Sequence, residues 1–283
     1  MRTLLVLACI AACNALAADP APPKTYGLVA AFSDRFNFVY EPPPSYRVAS
    51  ARVDAYRRET VEAPQGTFNK IALVGLAEAL AAKEPDAKQV LLSVSGHVPS
   101  KVGVRDHQDY LLARVVKALR DMPERNKWHR VLVALPAYRV LKKDDMPTRL
   151  EGFGVVLQPN CSSNPKYCAM AFTPPDGADV KTPTGEDIQA NFFIAPYSNI
   201  AVITLDPVSL TVIDRQEAFE HQKMFDPQSG TMDLSVNIAK DILAKEVVNQ
   251  IGRSVHTALD APDPRGKADI KGIREIKAED VKR

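Results

Sequence analysis

The chain has 283 residues, of which 46% are hydrophobic and 25% are charged, and its formal net charge is +2. These are the proportions of an ordinary globular protein, and they exclude a collagen-like, a wholly disordered or a polytopic membrane chain. A net charge this close to zero gives no reason to expect a general nucleic-acid binder. Composition therefore bounds the class of protein but points to no activity.

Residues 1–17 have the three parts of a secretory signal. A positive charge at Arg2 is followed by an apolar stretch over residues 4–12, and small residues at Ala15 and Ala17 suit a signal peptidase. About nine apolar residues are too few to cross a bilayer core, which takes around twenty. The pattern predicts a periplasmic or secreted protein without a transmembrane segment. Cleavage near Ala17 would leave residues 18–24 as a Pro-rich N-terminal extension.

A second interpretation covers the same residues. The run Ile10-Ala11-Ala12-Cys13 resembles the lipobox of bacterial lipoproteins, in which a cysteine after a small residue receives the lipid. The resemblance implies an outer-membrane lipoprotein anchored at Cys13. The two interpretations predict different mature N-termini, because cleavage near Ala17 removes Cys13 and lipidation keeps it.

Signal cleavage near Ala17 also leaves two of the four cysteines, Cys161 and Cys168. In an oxidising compartment, two lone cysteines this close in sequence predict a structural disulfide. The bridge would close a short loop around the turn-forming pair Asn164-Pro165 and would stabilise the fold by about 2 to 3 kcal/mol. Two thiols without nearby histidine ligands make a poor zinc site, so we expect no metal there.

The order of the apolar segments predicts a mixed α/β fold. In the first half, short continuous apolar runs alternate with amphipathic helices, which is typical of a parallel β-α-β-α-β unit with right-handed crossovers. The predicted strands are residues 26–32, 90–94 and 131–135, and the predicted helices are 68–82 and 110–122.

The second half predicts antiparallel structure. It contains a β-hairpin turning at residues 206–209 and a long C-terminal helix. The remaining predicted strands are 154–158, 169–173, 192–195, 200–205 and 210–213, and the helix is 234–259. We expect one mixed-sheet domain over residues 25–259.

Residues 260–283 differ in composition from the rest, since 13 of these 24 residues are charged, seven positive and six negative. Such a stretch cannot bury a core and predicts a disordered, solvated tail. Ile270, Ile273 and Ile276 recur at helical spacing. The alternative is therefore a short helix that docks on a partner.

Polar residues follow each strand of the predicted parallel unit, where open α/β sheets bind their ligands. They are Ser33 and Asp34 after the first strand, Ser95 and His97 after the second, and Tyr138 and Arg139 after the third. If the strands are neighbours, these side chains converge. Ser33, Tyr138 and Arg139 are then candidate ligand-binding residues.

A hydrolase would use Ser95 or Ser33 as the nucleophile and His97 as its general base. Asp34 would orient the histidine, and Arg139 would bind an anionic group of the substrate. However, the Gly-x-Ser-x-Gly nucleophile elbow is missing from the sequence, and residues two apart on an extended strand are poorly placed for proton transfer. We therefore favour a non-enzymatic binding module of the envelope with a protein partner, similar in architecture to small exported domains of bacterial envelope assembly systems. The hydrolase is the alternative.

The sequence predicts no cofactor. A metal could draw on His97, Asp106, His107 and Asp109, but the His-Glu-x-x-His spacing is missing and the two aspartates suit the start of a helix. The glycines at 152 and 154 do not continue into a dinucleotide loop, and no P-loop sequence occurs. No basic patch predicts nucleic-acid binding.

Overall fold

The computed structural model describes residues 22–40, 57–143, 146–159, 180–181, 187–188, 192–222, 224 and 240–260. The predicted signal, Cys13, the predicted strand 169–173 and the charged tail beyond Asp260 lie outside these ranges. Cys161 and Cys168 lie outside them too. The export signal, the disulfide and the disordered tail therefore stay predictions.

The described elements alternate between strands and helices. Strands precede and separate the first two α-helices, a run of strands follows, and a helix ends the described chain. In order they are β1 (Thr25–Ala30), β2 (Arg35–Tyr40), β3 (Arg57–Glu62), α1 (Thr67–Lys83), β4 (Lys88–Ser93), α2 (His107–Arg120), β5 (Arg130–Pro136), β6 (Tyr138–Lys143), β7 (Met146–Glu151), β8 (Phe153–Pro159), β9 (Val180–Lys181), β10 (Asp187–Ile188), β11 (Phe192–Leu205), β12 (Val212–His221) and α3 (Lys240–Ala258).

Strand β1 lies between β4 and β5 and pairs in parallel with both. The predicted parallel β-α-β-α-β unit is therefore confirmed. Strand β11 runs antiparallel to β5 and then to β8, and β12 pairs antiparallel with β11. Strand β2 pairs with β8 in parallel and with β3 antiparallel. The result is a mixed sheet, as the sequence predicts.

Helices cover both faces of this sheet, which explains why the strands read as continuous apolar runs. In β1, Leu28 and Ala30 join the hydrophobic core that contains α1 and α3. The alternate residues Val29 and Ala31 join a second core with α2. None of the helices in the described ranges is long and apolar enough to cross a membrane.

Several strands depart from the sequence prediction. Strand β11 is one strand of 14 residues, whereas the sequence predicted two separated by Pro196, Tyr197, Ser198 and Asn199. The strand continues through these residues because its register with β8 runs from Phe192 to Ser198. Strands β2, β3, β6 and β7 were not predicted, since they are short and carry polar or charged residues.

Candidate functional site

The carboxyl ends of β1 and β4 are joined by Asn69, a buried residue of α1 that is only 4% exposed. The backbone N–H of Phe32 donates to Asn69 Oδ1 at 2.6 Å. The Asn69 amide nitrogen donates to Ser93 Oγ and to the carbonyl of Val94, both at 2.9 Å. Asn69 therefore holds together the carboxyl ends of β1 and β4, where the sequence analysis predicts a candidate site. No motif marks it, because an asparagine inside an amphipathic helix has no distinctive spacing.

Gly96 brings the segment after β4 against the segment after β1. A Cβ atom at this position would lie 2.0 Å from the carbonyl carbon of Phe32 and 2.3 Å from the nitrogen of Ser33. Ser95 and His97, on either side of the glycine, are exposed. The Ser95 hydroxyl accepts a long hydrogen bond of 3.4 Å from the backbone N–H of His97. The two segments meet through their backbones.

Asp34 has a structural partner at this edge. Its Oδ1 accepts a hydrogen bond from the backbone N–H of Gly66 at 2.8 Å, and its carbonyl accepts one from Ala63 at the same distance. It thereby holds the loop that leads into α1. Within the described residues, no hydrogen bond joins the side chains of Asp34, Ser95 and His97.

The predicted ligand-binding residues lie on two separate segments. Ser33 is half-buried next to Asp34. Tyr138 and Arg139 begin β6, which pairs only with β7 in the described sheets, and Tyr138 lies opposite Glu151. The Arg139 side chain lies outside the described part of the structure.

Three aromatic rings fill the space beside the end of β1 on the α1 face. Phe32, Phe68 and Phe153 are all buried. The ring centroid of Phe153 lies 5.6 Å from that of Phe32 and 4.2 Å from that of Phe68. This part of the strand-end region is therefore packed core.

His107 was a candidate metal ligand in the sequence analysis. In the structure it pairs with Glu151 at the end of β7. Its Nδ1 lies 2.5 Å from Glu151 Oε1, and its Nε2 lies 3.2 Å from the carbonyl of Val102. Both ring nitrogens lie within hydrogen-bonding distance of an oxygen atom. The pair fastens the start of α2 to the β6–β7 hairpin.

The other predicted metal candidates do not gather around His107. Asp109 bonds to Arg215 of β12 at 3.1 Å. In the ranges that the structure describes, no group of three or more His, Cys, Asp or Glu residues could hold a metal ion. Glu151 escaped sequence reasoning because it lies 44 residues from His107 and belongs to no motif.

At the opposite end of the sheet, Tyr26 and Lys24 both donate to Glu84 Oε1, at 2.6 and 3.1 Å. The Tyr26 hydrogen bond, followed by that of Lys24, lowers the pKa of Glu84, while burial raises the pKa of Tyr26. A lowered carboxyl pKa adds to the free energy of unfolding at pH values above the ordinary pKa of the group. This contribution is lost as the pH falls through the lowered pKa. The cluster has a sufficient role in joining β1 to the end of α1.

The β11–β12 hairpin at this same end exposes a group of large aliphatic side chains. Val208 is 61% exposed, Ile213 is 50% exposed and Val212 is 48% exposed. They are three of the seven most exposed large hydrophobic side chains in the described residues, and they fall within six positions of each other. We call these three residues the apolar tip.

The loop that carries the apolar tip is held in one conformation by Asp206. Its Oδ1 accepts hydrogen bonds from the backbone N–H groups of Val208 and Ser209, at 3.0 and 2.8 Å, and from the Ser209 hydroxyl at 3.0 Å. The backbone N–H of Ser209, followed by its hydroxyl, lowers the pKa of Asp206. The loop order is therefore retained at neutral pH and weakens only as the pH falls through that lowered pKa.

Arg125 holds the same loop from the other side. Its guanidinium donates to the carbonyls of Pro207 and Val208, the latter at 2.9 Å, and to the carbonyl of Leu119 at the end of α2. Five hydrogen bonds from Asp206 and Arg125 thus fix a short surface loop. These hydrogen bonds hold the loop in one conformation, whereas loop tips without such contacts are ordinarily mobile.

The backbone of this hairpin is also strained. Leu210 has a φ of 59°, in the left-handed region that favours glycine, and its side chain is buried in the core beside α2. The β11–β12 register shifts between Thr204 and Leu205, which marks a bulge at the start of β12. Val212 and Ile213 follow this leucine at the bulge, and both are exposed. Strain of this kind commonly marks a functional position.

Comparison with known proteins identifies no family. No protein-family model matches the chain, and no curated protein matches it. Among solved structures, a homolog of neuraminyllactose-binding hemagglutinin from Helicobacter pylori is similar at 11% identity, with a TM-score of 0.30 over 83% of this chain and 84% of that chain. A protein of the DUF330 family from Xanthomonas campestris is similar at 10% identity, with a TM-score of 0.29 over 85% and 84%. Scores this low carry no argument about fold or function.

Proposed function

We propose that the chain is an exported protein of the bacterial cell envelope that binds a partner surface through the apolar tip and performs no catalysis. The N-terminal pattern of residues 1–17 supports export. The ordered loop around Asp206 supports binding, and it is the observation that carries the proposal.

An exposed group of aliphatic side chains lowers the solubility of a protein. Such groups therefore mark interaction sites in soluble domains. A loop that is already ordered loses little conformational entropy on binding. Asp206 and Arg125 supply this order before any partner arrives. The apolar tip therefore has the two properties expected of a binding surface, apolar area and preorganisation.

The alternative function, hydrolysis, draws support from the His107–Glu151 pair, because a carboxylate orients the base in many hydrolases. A general base needs a ring nitrogen that can accept a proton from the nucleophile. Both nitrogens of His107 already face oxygen acceptors. His97 is exposed, and the Ser95 hydroxyl bonds to its backbone rather than to its ring. Binding is therefore favoured over hydrolysis.

An assay with ester and phosphoester substrates tests this preference. We expect the wild-type chain to give no turnover above buffer, and His97→Ala and His107→Ala to give the same value. Circular dichroism of each variant serves as the folding control. Turnover by the wild type that is lost in folded His97→Ala or His107→Ala would establish the hydrolase and contradict the proposal.

A further inference from the structure

The apolar tip lies at the end of the sheet where the chain enters the fold. Leu205 pairs with Val131 at the start of β5, and Arg130 pairs with Tyr26 at the start of β1. The backbone N–H of His129 donates to the carbonyl of Thr25 at 2.6 Å. The described chain therefore enters the domain at the same end as the tip.

A basic segment adjoins the apolar tip. Residues 117–130 contain five basic and two acidic residues. Arg125 within this segment donates hydrogen bonds to the carbonyls of Pro207 and Val208 in the loop beside the apolar tip. Lys117, Arg120 and Lys127 are exposed. Positive charge beside a protruding apolar group is the combination that favours an anionic lipid surface.

The residues between Asp206 and Asp214 carry no charge that would oppose entry into a lipid headgroup region, and Asp214 is an exposed acidic residue at their border. Residues 207–213 are all uncharged. Asp206, the acidic residue before them, directs its carboxylate at the loop backbone. A carboxylate with one oxygen that accepts internal hydrogen bonds, as Oδ1 of Asp206 does, is less costly to bring near an apolar phase than a free one.

We propose that the apolar tip inserts into an anionic lipid surface, with the basic segment 117–130 contacting the lipid phosphates. This inference rests on the proposed binding function and names the partner of the same surface. It orients the domain with the amino ends of β1 and β5 toward the membrane.

Vesicle binding tests the inference on the processed chain as it is purified from cells. The probe is a vesicle of phosphatidylcholine with or without phosphatidylglycerol. The double variant Val208→Asp/Ile213→Asp is expected to bind anionic vesicles at least about tenfold more weakly than wild type. The two aliphatic side chains that would be buried in the lipid are replaced by negative charges. Val74→Asp, at a position on α1 that is 55% exposed, is the matched control and should bind as wild type does.

A second measurement reports where the tip sits even if a lipid anchor dominates the affinity. Val208→Trp and Val74→Trp each add one tryptophan to the buried Trp128. Brominated phosphatidylglycerol vesicles should quench Val208→Trp fluorescence and leave Val74→Trp unquenched. Equal quenching of the two variants, or unchanged vesicle binding by the Val208→Asp/Ile213→Asp variant, would overturn the lipid inference. The proposed binding function would stand if the tip then proved to contact a protein, and would fall if it contacted nothing.

Discussion

Replacing Asn69 with Leu is expected to lower the free energy of unfolding by about 3 kcal/mol. The substitution leaves the N–H of Phe32 and the carbonyl of Val94 without their partner in a buried setting. A leucine of similar size fills the space but cannot bond to either group. Urea denaturation followed by circular dichroism measures the loss.

Lys70→Leu is the matched control for this substitution. It places the same side chain at the next position of α1, which is exposed. Surface substitutions of this kind change stability by about 0.5 kcal/mol or less. If Asn69→Leu were as mild as Lys70→Leu, Asn69 would not join the ends of β1 and β4 as described.

Replacing Gly96 with Ala is expected to have a similar or larger effect, a loss of about 3 kcal/mol or more. The new Cβ atom would overlap the backbone of Phe32 and Ser33. Backbone atoms cannot rotate away as a flexible side chain does, so the substitution must separate the segments that follow β1 and β4. The same denaturation experiment measures the effect.

Gly103→Ala provides the comparison, because a Cβ atom there meets only Asp106 Oδ2, at 3.2 Å. We expect this variant to unfold close to wild type. A Gly96→Ala chain that fails to accumulate in folded form, beside a well-folded Gly103→Ala, agrees with the prediction. Equal stability of the two variants would contradict the close backbone approach at Gly96.

The parallel part of the fold was predictable because burial on both faces leaves a strong signal. Strands β1, β4 and β5 and helices α1 and α2 appear in the sequence as apolar runs and amphipathic periods. Strand β12 was predicted only at its start. Its charged residues, among them Asp214, Arg215 and Glu217, suit an edge strand and conceal it from a hydrophobicity pattern.

The candidate site could be predicted only in its location. Topology placed Ser33, Asp34, Ser95 and His97 at one edge of the sheet, and the structure brings those segments together. What the side chains do there depends on contacts distant in sequence, such as Asp34 with Gly66. Patterns of spacing within one segment carry no information on such contacts.

The exposure of the apolar tip was also not predictable from sequence patterns. The sequence predicted a turn at residues 206–209, and the hairpin is confirmed. The exposed residues Val208, Val212 and Ile213 lie around a bulge and a left-handed backbone at Leu210, neither of which has a sequence signal when the residue is not glycine. Aliphatic residues in a strand pattern predict burial, so their exposure had to be observed.

Site-specific photocrosslinking in intact cells tests the binding function most directly. A photoreactive amino acid replaces Val208 in one chain and Val74 in a control chain, and adducts are identified by mass. We expect adducts with anionic lipid at position 208 and none at position 74. Protein adducts at position 208 would contradict the lipid partner while supporting a binding tip. Absence of adducts at position 208, or equal adducts at both positions, would contradict the proposed function itself.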